Sequence, residues 1–205
     1  MKKGFSPVSK FSAILLAIGV LTGTAQATIT YTVHEQAGAV VFDYSGSIDL
    51  ASATFSFGFS SGIVGEFIGS PGYVKSLTGN ISVYTTNFTS ASSLGPGFAS
   101  GGAVSGSSLG LVDVSGVNTD QIYLPSGYVS GSNISGSLTF SGQSFSSLGL
   151  TPGSTTWTWS NGVGSDSATF NIVAVPEPST TLLLGAAAAV AIIARRRKGL
   201  PPISP

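Results

Sequence analysis

Apolar and polar residues alternate in short runs through the middle of the chain. A period of two sends successive side chains to opposite faces of a β-strand. The polar positions are mostly Ser and Thr, which suits an antiparallel sheet with one face on a core and the other in water. Runs of this kind predict strands at residues 29–33, 53–59, 81–84, 134–140, 157–159 and 168–172.

Clusters of Gly, Pro, Ser and Asn separate these runs. Gly95-Pro96-Gly97, Pro125-Ser126-Gly127 and Thr151-Pro152-Gly153 are examples, and such punctuation is typical of all-β sandwiches and barrels. No segment between residues 28 and 175 keeps a helical period. Both sides of the Ser/Gly-rich stretch 90–108 have the same character. The pattern therefore predicts one domain, an all-β antiparallel β-sandwich over residues 28–174.

The first 27 residues have a different pattern. Lys2, Lys3 and Lys10 precede an apolar stretch at residues 11–21, and small residues follow up to Ala25-Gln26-Ala27. This layout predicts a secretory signal peptide, with a signal helix and a signal-peptidase site at Ala25 and Ala27. The alternative is an N-terminal anchor that is never cut. With cleavage, the mature chain starts at Thr28.

The C-terminal end carries a second targeting signal. Val175, Pro176, Glu177, Pro178 and Ser179 precede an uncharged apolar run at residues 180–194. As a helix this run rises about 22 Å, against a hydrocarbon core of about 30 Å. It predicts a single C-terminal transmembrane helix of marginal length. A basic stop follows the helix and should stay cytoplasmic; it consists of Arg195, Arg196, Arg197 and Lys198. A short tail at residues 199–205 comes after the basic stop.

Together, the Val-Pro-Glu-Pro-Ser sequence, the apolar run and the basic stop resemble the PEP-CTERM sorting signal of Gram-negative bacteria, at residues 175–198. The resemblance implies recognition by an exosortase, a membrane-embedded cysteine peptidase. It also implies cleavage near Pro176-Glu177-Pro178 and transfer of the ectodomain to the cell surface or biofilm matrix. A plain C-terminal anchor is the alternative. Residues 122–172 are similar to the ectodomain of a group of small PEP-CTERM proteins, a similarity that brings no catalytic residue.

Charge is distributed unevenly along the chain. The formal net charge is zero, but Lys75 is the one basic residue between residues 28 and 175. Nucleic-acid binding needs cations that displace counterions from phosphates, so this function is excluded. The chain has no cysteine, which excludes thiol catalysis and thiolate metal sites. The acids of this region are Glu35, Asp43, Asp49, Glu66, Asp113, Asp120 and Asp166.

Two tryptophans offer a candidate binding feature. Trp157 and Trp159 stand at i and i+2, so both project from one face of a strand. They could form a stacking platform for sugar rings. Burial in the core is the favoured alternative, because two large aromatic side chains bury much apolar area.

Candidate chemistry is sparse elsewhere. His34 lacks the context of a Ser-His-Asp site, and nothing around Glu35 and Glu66 supports a glycosidase pair. No cofactor is expected. Calcium is the one metal considered, because it binds hard oxygen ligands, although the dense Asp pattern of a calcium loop is missing. Its candidate ligands are Asp43 with Asp49, Asp113 with Asp120, and Asp166 with Asn161.

These observations favour an exported, non-enzymatic protein of the cell surface or extracellular matrix, with a structural or interaction role. Its expected partners are signal peptidase, an exosortase-type enzyme, the membrane before cleavage and an exopolysaccharide. A carbohydrate-binding module is the first alternative, and an extracellular hydrolase is the second.

Overall fold

The computed structural model describes residues 27–114 and 119–174, and this part of the chain is almost entirely β-structure. A 3-10 turn at Leu50–Ser52 and one short helix, α1 (Phe145–Leu148), interrupt it. The all-β prediction is confirmed, and the six alternating runs lie in β1, β3, β4, β9, β10 and β11. The strands are β1 (Thr28–Gln36), β2 (Ala39–Gly46), β3 (Thr54–Ile68), β4 (Tyr73–Ser90), β5 (Phe98–Ser100), β6 (Ala103–Gly106), β7 (Leu109–Val112), β8 (Asp120–Pro125), β9 (Ile134–Ser141), β10 (Gly153–Ser160) and β11 (Ser165–Val173).

All of these strands belong to one hydrogen-bonded sheet. Its order is β5-β3-β4-β10-β11-β1-β2-β9-β6, with β7 and β8 pairing β4 and each other. One half of the sheet contains β3, β5, β7 and β8, and the other contains β10, β11, β1, β2, β9 and β6. The 18-residue strand β4 joins these two halves, because it pairs with β3, β7 and β8 and, at its C-terminal end, with β10. The predicted antiparallel arrangement needs one correction, since β1 and β11 run parallel.

The two halves of the sheet face each other across the core. Phe42 on β2 packs against Phe67 on β3 with ring centroids 5.2 Å apart, although these strands are not hydrogen-bonded neighbours. Tyr44 on β2 donates a hydrogen bond from Oη to Ser76 Oγ on β4 at 3.1 Å. The layers thus pack as in a sandwich, but the long strand β4 makes them a single sheet instead of two separate ones.

Several strands lack the alternation that predicts the others. All four residues of β7 are buried, and β2 has three buried residues in succession. A strand covered on both faces needs no polar side, so its sequence loses the period of two. The short strands β5 and β6 carry too few residues for any period to show.

The parallel pairing of β1 with β11 brings the two ends of the domain into one part of the sheet. Thr28 lies beside Ser167, and His34 lies beside Val173. Six residue steps separate these pairs, which is roughly 20 Å along the strands. β1 therefore begins at one end of this strand pair, and β11 finishes at the other.

The predicted signal helix and transmembrane helix fall outside the described residues. Within residues 27–114 and 119–174, no helix has the length and apolar character needed for a membrane span. The sheet and its core are made wholly from residues of the predicted ectodomain, from Ile29 to Ile172.

Gly72 provides a test of the core packing. A Cβ on this residue would lie 2.3 Å from Cη2 of Trp157, whereas a Cβ on Gly62 would meet nothing within 4 Å. Gly72→Ala is expected to lower the free energy of unfolding by about 1–3 kcal/mol, the usual cost of overpacking. Gly62→Ala is the matched control and should stay within about 0.5 kcal/mol of the unchanged protein. Urea titration of both variants measures the difference, and equal values would contradict the packing of Trp157 against Gly72.

Candidate functional site

The two tryptophans lie on the inner face of β10. Trp157 and Trp159 are both fully buried. Phe88 on β4 packs edge-on against both rings, at centroid distances of 5.8 Å and 5.4 Å. Trp157 also packs against Phe170 on β11 at 4.7 Å. β10 lies between β4 and β11, which places its inward side chains at the centre of the sheet.

Both indole nitrogens have partners inside the protein. Nε1 of Trp157 donates to the carbonyl oxygen of Ser92 at 2.9 Å, and Nε1 of Trp159 donates to Ser52 Oγ at 3.0 Å. A stacking platform for sugars needs an exposed ring face, and neither ring has one. The structure therefore corrects the glycan-stacking hypothesis for Trp157 and Trp159 and assigns both residues to the core.

A second aromatic group lies on the opposite face of the sheet. We call it the outer aromatic face, and it consists of Phe57, Phe59, Tyr73, Lys75 and Tyr123. Lys75 Nζ lies 4.3 Å from the ring centroid of Tyr73 and 4.7 Å from that of Tyr123. Phe59 packs edge-on against Tyr123 at 6.3 Å. These contacts continue a small apolar cluster on β4, β7 and β8, made of Leu77, Ile81, Val83, Val112 and Tyr123.

The two charged groups at this face contact its tyrosines. Glu66 lies opposite Lys75 in the β3–β4 ladder, and its Oε2 accepts a hydrogen bond from Tyr73 Oη at 2.5 Å. Burial raises the pKa of Tyr73, and the bond to Glu66 raises it further. Burial also lowers the pKa of Lys75, an effect that the nearby Glu66 opposes. The one basic residue of the ectodomain thus lies half-buried between two tyrosines.

The first half of β3 is the feature that sequence reasoning missed. Residues 54–60 are all exposed, although their alternation predicts one buried face. Phe55, Phe57 and Phe59 are 58%, 47% and 38% exposed. The available signal was the chemistry of the run, since no residue from Thr54 to Gly65 is charged. An uncharged strand with exposed aromatics is unusual at the edge of a sheet, where natural proteins place charges or proline.

Asp166 is the most deeply buried acid of the described residues. Its Oδ2 accepts from the backbone N–H of Asp49 at 2.8 Å, and its Oδ1 accepts from its neighbour Ser167 at 2.7 Å. Burial raises the pKa of Asp166 to about 6, against the lowering effect of these two backbone bonds. Asn161, the predicted companion of Asp166, instead accepts from the backbone of Val163 and Gly164.

The other calcium candidates are arranged differently. Asp120 is buried and accepts from the N–H groups of Phe88 and Val114. Burial raises the pKa of Asp113, and so does the adjacent Asp120, so this predicted pair does lie together. Asp43 and Asp49 have separate contacts. Within the described residues, no group of three or more His, Cys, Asp or Glu side chains could hold a metal ion.

The remaining candidate residues have local structural contacts. His34 Nδ1 lies 3.8 Å from Asp43 Oδ2, across β1 and β2. Glu35 accepts a hydrogen bond from the N–H of Phe145 at the start of α1. Glu66 accepts from Tyr73, so Glu35 and Glu66 make their contacts in different parts of the fold. Ala27 is half-buried immediately before β1, while Ala25, the motif Val175–Ser179 and the basic stop Arg195–Lys198 lie outside the described residues.

A shallow cavity of about 310 Å³ lies beside the end of β11. It is lined mostly by small and polar residues of the loops at 93–95 and 149–152 and of the start of β10, together with Ile172. Its lining contains no titratable side chain. Its walls include Ser93, Gly149, Thr151, Ser154 and Thr155. Such a lining has no group that could act as acid, base or nucleophile beyond Ser and Thr hydroxyls.

Comparison with protein families identifies the C-terminal segment. Residues 174–198 match the PEP-CTERM protein-sorting motif. No curated protein and no solved structure matches the chain. The motif marks a class of exported proteins that are anchored in the membrane before an exosortase cuts them. This chain carries that sorting signal directly after an all-β domain, which confirms the resemblance seen in Val175-Pro176-Glu177-Pro178-Ser179.

Proposed function

We propose that this protein is a non-enzymatic component of the cell surface or extracellular matrix, with a structural or interaction role. In this proposal a signal peptide is removed after Ala27, and the C-terminal helix at residues 180–194 then holds the ectodomain at the inner membrane. An exosortase cuts near Pro176-Glu177-Pro178 and releases the domain. The basic stop, Arg195 to Lys198, stays on the cytoplasmic side before cleavage.

One observation carries this proposal. The last strand, β11, ends at Val173, and the match to the sorting motif begins at residue 174. Among the described residues the core ends at Ile172, so a cut within the motif lies beyond the last core residue that the structure describes. A domain that is closed before its processing signal can be released intact.

The contacts of the polar residues support a non-enzymatic role. The catalytic candidates among the described residues are spread over the fold, and each has a structural contact. His34 lies next to Asp43, Glu35 accepts from the start of α1, and Glu66 accepts from Tyr73. General acid–base catalysis needs such groups to converge on one reacting position.

Processing is tested in a host that contains an exosortase, by measuring the mass and termini of the full chain in each cell fraction. We expect a product that starts at Thr28, ends near Pro176 and lies outside the inner membrane. Replacing Pro176, Glu177 and Pro178 together by alanine should leave the product in the inner membrane with Arg195 to Lys198 still attached. The matched control replaces Pro201 and Pro202 of the tail by alanine and should be processed normally. An unchanged chain that keeps its basic stop in the inner membrane would identify a plain anchored protein and overturn the proposal.

A further inference from the structure

We propose that the open edge of β3, residues 54–61, pairs with the same edge of a second copy of this chain and so continues the sheet from one molecule to the next. We call this segment the β3 edge. The inference names a partner for the structural role proposed above and rests on that role.

The β3 edge has a free hydrogen-bonding side. β4 pairs with β3 from Thr54 to Ile68, whereas β5 covers the other side of β3 only at Glu66, Phe67 and Ile68. Within the part of the chain that the structure describes, nothing pairs with that other side from Thr54 to Ser61. Backbone N–H and C=O groups that point outward from such a strand form a template for another strand.

The two terminal strands of the sheet are too short to offer a long edge for pairing. The terminal strands β5 and β6 have three and four residues. Short edge strands are a common means of preventing contact between sheets. The β3 edge is longer, and it lacks the charges and proline that would block pairing. Lys75, which could have protected it, is held over two tyrosines on β4 and β8.

The chemistry of the β3 edge fits its own copy. It carries no charge, so a charged partner strand would find no complement, whereas a second β3 edge is equally neutral. A symmetric dimer requires a patch that is complementary to itself. Antiparallel pairing about a two-fold axis at Gly58 places Phe57 opposite Phe59 of the partner subunit. Both side chains lie on the same face, because they align with Val83 and Ile81 of β4.

The centre of this register lies in the regular part of the strand. The β3–β4 ladder shifts between Phe55 and Phe57 and again between Ser61 and Val64. These irregularities limit the even ladder to residues 57–61, so the pair of Phe57 with Phe59 lies inside it, whereas position 56, which faces Ser60, lies at the first irregularity. Pairing would cover Phe57 and Phe59, which are now 47% and 38% exposed, and cross-strand aromatic pairs stabilise antiparallel sheets.

Because the chain has no cysteine, introduced thiols can test the contact in the exporting host. Ser60→Cys places one thiol on the β3 edge of the full chain. In the proposed register it pairs with position 56 of the other copy, so the two thiols lie about 13 Å apart, four residue steps along a strand. A bis-maleimide of that span should yield a covalent dimer. The matched control is Ser105→Cys, an exposed position on the other short edge strand, β6, and it should stay monomeric.

A second substitution tests whether the edge itself makes the contact. Phe57→Lys, added to Ser60→Cys, places a positive charge on each edge and should cause loss of the crosslinked dimer, because lysines on edge strands prevent pairing between sheets. Val163→Lys is the matched control, because Val163 is 88% exposed in the β10–β11 turn. It should leave the dimer unchanged. The two single-cysteine variants decide the question even if Phe57→Lys impairs folding.

The crosslinking is carried out on every cell fraction, so its outcome does not depend on whether the C-terminal signal has been cut. A dimer with Ser60→Cys and none with Ser105→Cys supports the proposal. A monomer whose thiol at position 60 reacts freely would overturn it, and so would equal dimers at both positions. A thiol at position 60 that is protected without forming a dimer would show that a different strand covers the edge, and this too would overturn it.

Discussion

Trp159→Ala is expected to lower the free energy of unfolding by about 3–5 kcal/mol, and Trp157→Ala by a similar amount, the range for buried large aromatics cut to alanine. Each substitution removes an indole ring that is completely buried between the sheet halves. The loss of apolar burial and the cavity left behind both contribute to the cost. A domain of ordinary stability has only about 5–15 kcal/mol in total, so either variant should come close to unfolding.

The Trp159 substitution also disturbs a polar network. Ser52 Oγ accepts from Nε1 of Trp159 at 3.0 Å and donates to the carbonyl oxygen of Asp49 at 2.6 Å. The backbone N–H of Asp49 in turn donates to Asp166. Trp159→Phe keeps most of the apolar bulk and loses the indole N–H. Its packing cost should therefore be smaller than that of Trp159→Ala, and the lost hydrogen bond should lower the free energy of unfolding by about 1 kcal/mol more.

Denaturant titration monitored by circular dichroism measures these differences. Val163→Ala serves as the control on an exposed side chain and should change the free energy of unfolding by less than about 0.5 kcal/mol. A Trp157→Ala variant that keeps full stability but no longer binds polysaccharide would contradict the core assignment and restore the stacking hypothesis.

The domain is expected to lose stability as the pH rises from about 4 to about 7, because of Asp166. Its pKa is about 6 in the folded protein, against about 3.9 in an unfolded chain. Between these values the folded state binds more protons than the unfolded state, so stability falls as pH rises. The contribution is fully present below the unfolded pKa and is lost through the folded pKa. It amounts to at most about 3 kcal/mol.

Free energies of unfolding at several pH values, for the unchanged protein and Asp166→Asn, isolate this effect. Asn cannot titrate, so the stability of the unchanged protein relative to the variant should decline from pH 4 to pH 7. Asp113 contributes a slope of the same sign, because its pKa is also raised, and it cancels in the comparison. A difference that is constant with pH would contradict the prediction, because it would show that the pKa of Asp166 is the same in the folded and unfolded states and that its two backbone hydrogen bonds offset its burial.

The sequence predicted the local geometry well. Alternation located β1, β3, β4, β9, β10 and β11, because the period of two is a property of each strand by itself. It missed β7, which is buried on both faces, and β2, where Val40, Val41 and Phe42 are buried in succession. It also missed β5, β6 and β8. The Trp-x-Trp pattern indicated two side chains on one face, but the pattern alone could not identify that face as the buried one.

The sequence by itself determined that the protein carries a sorting signal, since the motif at residues 174–198 is a local run of residues that needs no tertiary structure to be recognised. It also determined the all-β class. Only the tertiary structure decided that β1 and β11 pair in parallel, that Trp157 and Trp159 are buried, and that Phe55, Phe57 and Phe59 of β3 are exposed. Each of these depends on which distant strand lies alongside. Alternating runs of the same kind have different environments. The run in β10 is buried between β4 and β11, whereas the run in the first half of β3 is exposed, beyond the point where β5 stops pairing with it.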